Sequence, residues 1–99
     1  MSVKLPQKFD LIHFKTADYE AYCVVLKVEP GTPIRIHGVW GDSPQEVTRQ
    51  FKAHVKEIMT YLRDGDRSKI RHRVNCGFNY YTRETNLRIL SNIIGGVRL

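Results

Sequence analysis

Lys69, Arg71 and Arg73 recur at alternate positions, with Arg67 just before them and Arg83 further on. On an extended strand, alternate side chains share one face and lie about 7 Å apart. Phosphates along one nucleic-acid strand repeat every 6 to 7 Å or so, which is close enough for one such strand to follow one backbone. Aromatic residues stand beside these cations: Phe78, Tyr80 and Tyr81, then Arg83. Tyrosine rings next to guanidinium groups can stack unpaired bases, each contact contributing about 1 to 3 kcal/mol. Phe78 is expected in the core. Tyr80 and Tyr81 are consecutive and cannot both face inward on an extended chain, so one of them is available for stacking. The chemistry these residues suit is recognition of a polyanion by charge, shape and base stacking. The same three cations on one strand would also guard a sheet edge against pairing with another sheet.

The distribution of charge supports the first use. Residues 1 to 42 carry five Lys/Arg and five Asp/Glu, and residues 43 to 66 carry four of each. Residues 67 to 99 carry seven Lys/Arg against Glu84 alone, so the whole net charge of +6 sits in the last third. A field that concentrated attracts polyanions. A second, lesser stripe is formed by Arg49, Lys52, Lys56 and Arg63, which fall within about 80° of arc if they share one helix. Most stripes of this kind are the solvated face of an amphipathic helix.

Catalytic and metal-binding patterns are weak. A small basic ribonuclease would need one residue as base, another as acid and a cation for the phosphate. His13, His37, His54 and His72 show no pair at a telling spacing, and alternation puts His72 on the strand face opposite Arg71 and Arg73. Cys23 and Cys76 lack any CxxC or HxxxH companion for zinc, and nothing identifies a base for Cys76 as a nucleophile. Both cysteines lie in apolar, strand-like runs, and no export signal precedes them, so two reduced thiols in a cytoplasmic protein are expected. The chain is read as non-enzymatic, with no catalytic residue, metal or cofactor. No apolar run approaches the roughly 20 residues of a membrane span.

The elements that must position the cations follow from periodicity. Residues 9 to 15 read as a first strand, the apolar run 19 to 28 as a central one, and 34 to 40 as a third. In the third, Ile34, Ile36 and Trp40 alternate with Arg35 and His37. Short links suggest an antiparallel meander. Ser43-Pro44-Gln45-Glu46 is a capping box with proline at the first helical position. Val47, Phe51, Val55, Ile58, Met59 and Leu62 continue at helical spacing, and Gly65 stops the helix, which is expected from Pro44 to Arg63. A fourth strand is expected from Lys69 to Phe78, and a last helix from Arg83 to Ile94 with Leu87, Leu90 and Ile94 on its buried side. The whole is one small α+β domain over residues 1 to 99, a four-stranded, mainly antiparallel sheet packed by two helices in the order β-β-β-α-β-α.

Gly41-Asp42-Ser43-Pro44-Gln45-Glu46, leading into a helix after three strands, resembles the core of the HicB-type antitoxins. The resemblance spans about twenty-five residues and implies a partial RNase-H-like sheet in βββαβ order. The basic last third departs from that family, as does the lack of a helix-turn-helix or ribbon DNA-binding tail, and no functional residue is carried over.

The sequence therefore predicts a binding protein. Arg67, Lys69, Arg71, Arg73 and Arg83 would meet the backbone of RNA, single-stranded DNA or a nucleoprotein complex, with Tyr80 or Tyr81 stacking. The RNA-recognition-motif pattern is absent from Cys76-Gly77-Phe78-Asn79-Tyr80. A small stand-alone module of this kind suits a viral or mobile-element regulator. The alternative is a protein-interaction module or inhibitor that engages an acidic partner or a host nucleic-acid-binding enzyme, or forms a homodimer through its fourth strand.

Overall fold

A computed structural model describes residues 5–68, 70, 74–81 (Tyr81 by its backbone) and 86–93. Its elements run β1 (Asp10–Lys15), β2 (Glu20–Glu29), β3 (Ile34–Gly41), α1 (Pro44–Ala53), α2 (Val55–Asp64), β4 (Cys76–Tyr81) and β5 (Leu87–Asn92). They form one sheet in the order β4-β3-β2-β1-β5, with every neighbouring pair antiparallel. The α+β class and the β1-β2-β3 meander agree with the sequence. The strand count does not: there are five strands, not four. No helix among the described residues is long and apolar enough to cross a membrane.

Three elements depart from expectation, each for a tertiary reason. Leu87 to Asn92, assigned by spacing to a last helix, form β5 instead. Leu87 and Leu90 fit a helical spacing but Leu87 and Ile89 fit a strand's alternation, and opposite Phe14 and Ile12 the latter two join a buried cluster. The pairing is anchored at the start of β1. Buried Asp10 accepts from the Gln7 amide at 2.7 Å and from Asn92 Nδ2 at 2.9 Å, and the Ile93 amide donates to the Phe9 carbonyl at 3.0 Å. The fourth strand begins at Cys76, not Lys69. Ile70 and Val74 are buried as predicted, and the Val74 amide donates to the Ile70 carbonyl at 3.0 Å.

The long helix is the third departure. Its start is as read: Pro44 opens it, and the Ser43 hydroxyl accepts from the Glu46 amide at 3.1 Å. The Glu46 carboxylate is taken up by Arg49 and Gln50 rather than returning to Ser43. Gly65 ends it in the left-handed region at φ 74°, donating to the Tyr61 carbonyl at 2.7 Å. Between them the helix breaks at His54 (φ −125°, ψ 27°). The break aims Ile58 and Tyr61, the buried residues of α2, at the sheet.

Alternation along the strands makes two apolar faces. Leu11, Val24, Val39, Val47, Phe51, Ile58 and Tyr61 form the cluster under the helices. Ile12, Phe14, Cys23, Val25, Ile36 and Trp40 form the cluster on the other face, where the Phe14 and Trp40 rings meet edge-on at 5.9 Å. Gly38 is required between β2 and β3. A Cβ there would collide with the Cys23 sulfur and lie 2.6 Å from the Val24 carbonyl oxygen. Gly38→Ala should therefore cost about 1 to 3 kcal/mol in a urea melt. Gly77→Ala, at the cross-strand partner where a Cβ meets open space, should stay within about 1 kcal/mol of wild type.

Candidate functional site

β4 lies beside β3, and this sets Arg35 directly opposite Tyr80 and His37 opposite Phe78. All four point to the side of the sheet that carries the helices, because the buried Tyr61 of α2 packs against His37. The Arg35 guanidinium lies 4.3 Å from the Phe78 ring centroid and 5.7 Å from that of Tyr80. Tyr80 is 51% exposed, a large ring left open to solvent. Glu29 holds Arg35 at 2.6 Å and lies 3.3 Å from Lys27 Nζ. Cation–π contact and the ion pair together fix the guanidinium while leaving part of it in water.

Arg67 flanks this face. Its Nη2 donates to the Cys76 carbonyl at 2.7 Å. That carbonyl points away from β3, because Asn75 and Gly77 supply the carbonyls turned toward Trp40. The outer edge of β4 is blunted further. The Cys76 amide donates to the Val74 carbonyl at 2.9 Å, and the Tyr80 amide to the Asn79 side chain at 3.0 Å. An edge occupied in this way discourages the addition of a partner strand.

His37 reports the electrostatics beneath the face. It is buried, with its Nε2 2.8 Å from the Tyr61 hydroxyl and its ring 4.3 Å from that of Phe78. Burial lowers its pKa to about 4, aided by the positive charges of Arg67, Lys27 and Arg35 and opposed by Glu29. Three cations thus act on one point from β2, β3 and the segment before β4.

Of the residues singled out in the sequence, Arg67 and Tyr80 are brought to this face. Lys69, Arg71, Arg73 and Arg83 lie outside the described residues. Tyr81 pairs with Ile34 through its backbone, and its side chain lies outside them too. Phe78, expected in the core, is only partly buried and serves as the shelf under Arg35. The lesser stripe is split by the break at His54. Arg49 and Lys52 belong to α1, with Arg49 paired to Glu46 at 2.6 Å. Lys56 and Arg63 belong to α2, with Arg63 paired to Asp64 at 2.8 Å. Arg35, Lys27 and Phe78 were not among the predicted binding residues. The alternation of Arg35 and His37 was visible, but their neighbour was not.

The two thiols are held quiet. Cys23 and Cys76 are free thiols. Burial raises the Cys76 pKa to about 11, and burial followed by the nearby Cys76 raises that of Cys23 well above its ordinary value. His13 stacks on Tyr22 at 4.6 Å and meets Glu20 at 2.7 Å, far along the sheet from His37. Among the described residues no group of three His, Cys, Asp or Glu side chains could hold a metal ion. No protein-family model, curated protein or solved structure matches the chain.

Proposed function

We propose that this protein is a non-enzymatic module that binds single-stranded nucleic acid across the β3–β4 face. The observation that carries this reading is the Arg35 guanidinium stacked over Phe78 and Tyr80, with Lys27 and Arg67 beside it. Tyr80 offers a ring to an unpaired base, and the cations offer partners to the phosphates on either side. Lys69, Arg71, Arg73 and Arg83 belong to the same reading by sequence, since they flank Arg67 and β4 in the segment that holds the excess charge. Unpaired strands fit better than duplex, because a base must be free of its own stack to lie on Tyr80.

The test is a salt titration of fluorescently labelled single-stranded RNA and DNA, read by anisotropy. Contacts to about five phosphates predict a log–log slope near −3.5. Tyr80→Ala should weaken binding by about 1 to 3 kcal/mol, roughly five- to 150-fold, while the melting temperature moves by only a few degrees. A slope near zero, or wild-type affinity in Tyr80→Ala, would remove the proposal.

A further inference from the structure

A second surface lies on the same side of the sheet but at the opposite margin, and it is shaped for a different ligand. α1 packs over β2 and β3 and meets β1 only at its flank. β1 and β5 together are about 10 Å wide, the width of one helix. A groove runs there between α1 and β1. Leu11 forms its floor, and Pro44, Thr48, Arg49, Lys52 and Ala53 form its wall along the length of α1. Floor and inner wall are mostly apolar, whereas Arg49 and Lys52 are exposed on the lip. Arg88, exposed and paired with His13 two residues beyond Leu11, adds a third cation at the sheet end. Glu46 pairs with Arg49 at 2.6 Å and accepts from Gln50, and Glu20 meets His13 at the sheet end, so Lys52 and Arg88 carry most of the positive charge beside the groove.

We infer that this groove receives an acidic amphipathic helix from a partner protein, lying beside α1 over β1 and β5, where no helix sits among the described residues. An apolar floor does not suit phosphate, but it does suit the apolar stripe of a helix, whose flanking carboxylates would meet Arg49 and Lys52 on one side and Arg88 on the other. The ten residues of α1 span about 15 Å, so the incoming helix needs two to three turns. This surface shares no residue with the β3–β4 face, so either can fail without the other.

The test uses the full chain, 15N-labelled, and a synthetic peptide of about 15 residues with leucines along one helical face and glutamates flanking them. A control peptide carries lysine in place of each glutamate. The acidic peptide should bind saturably at about 0.1 M salt and move the amide signals of Leu11, Thr48, Lys52 and Ala53. The combined Arg49→Glu and Lys52→Glu variant should bind it about tenfold more weakly with an unchanged circular dichroism spectrum. Four results would overturn the inference: equal binding of both peptides, unchanged affinity in the variant, shifts centred on Arg35 and Tyr80, or groove signals that broaden with protein concentration before any peptide is added. The last would mean that a second copy of this chain fills the groove.

Discussion

Phe51→Ala should lose about 3 to 5 kcal/mol of unfolding free energy. Phe51 is fully buried at the end of α1, where its ring meets that of Phe9 at 5.3 Å and a 60° tilt. Phe9 holds a left-handed backbone conformation, φ 72°, rare for a bulky residue, immediately before β1. Its amide donates to the Val25 carbonyl at 2.6 Å, and its carbonyl accepts from Ile93 just past β5. Phe51 therefore backs a point where β1, β2 and the end of β5 meet. Its removal opens a cavity that this pinned segment cannot collapse to fill, so the cost includes the void as well as the lost transfer energy. Domains of this size hold about 5 to 15 kcal/mol in all. A urea denaturation curve should show the midpoint falling by about a fifth or more, or no folded baseline at all. A loss under about 1.5 kcal/mol would mean that the Phe9–Phe51 contact carries little of the fold.

That contact also shows where sequence reasoning succeeds. The first three strands and both ends of the helical stretch were legible because each is set locally: β-branched runs between turn residues, a capping serine before Pro44, a left-handed stop at Gly65. The break at His54 was not legible, since neither glycine nor proline marks it, and the need to aim Tyr61 at His37 arises only when the sheet is assembled. β5 was misread for a related reason. Leu87, Leu90 and Ile94 satisfy a helical period while Leu87 and Ile89 satisfy a strand period, and the open edge of β1 decides between them. The candidate site divides in the same way. Arg67 and Tyr80 stood out by type and position, but Arg35 became a neighbour of Tyr80 only through the pairing of β3 with β4, which are separated by both helices.

His37 supplies the second large prediction, because it couples that face to proton concentration. Its pKa is about 4 in the folded protein against an ordinary value of 6.5. Above pH 6.5 the imidazole is neutral in both folded and unfolded chains and costs nothing. As pH falls toward 4, the unfolded chain takes up a proton that the folded one refuses, so stability declines by about 3 kcal/mol across that window. Below pH 4 both forms are protonated, and this residue contributes no further slope. His37→Gln removes the titrating group while keeping a polar partner for Tyr61. The difference between wild type and variant in unfolding free energy should therefore change by about 3 kcal/mol between pH 7 and pH 4. Parallel profiles would mean that the imidazole titrates alike in both states. The same group can report occupancy. Arg67, Lys27 and Arg35 help hold its pKa down, and phosphates placed beside them would cancel part of that field. Single-stranded nucleic acid on the β3–β4 face should then raise the His37 pKa followed by NMR. A ligand seated only against α1 and Leu11 leaves those cations uncovered and should not.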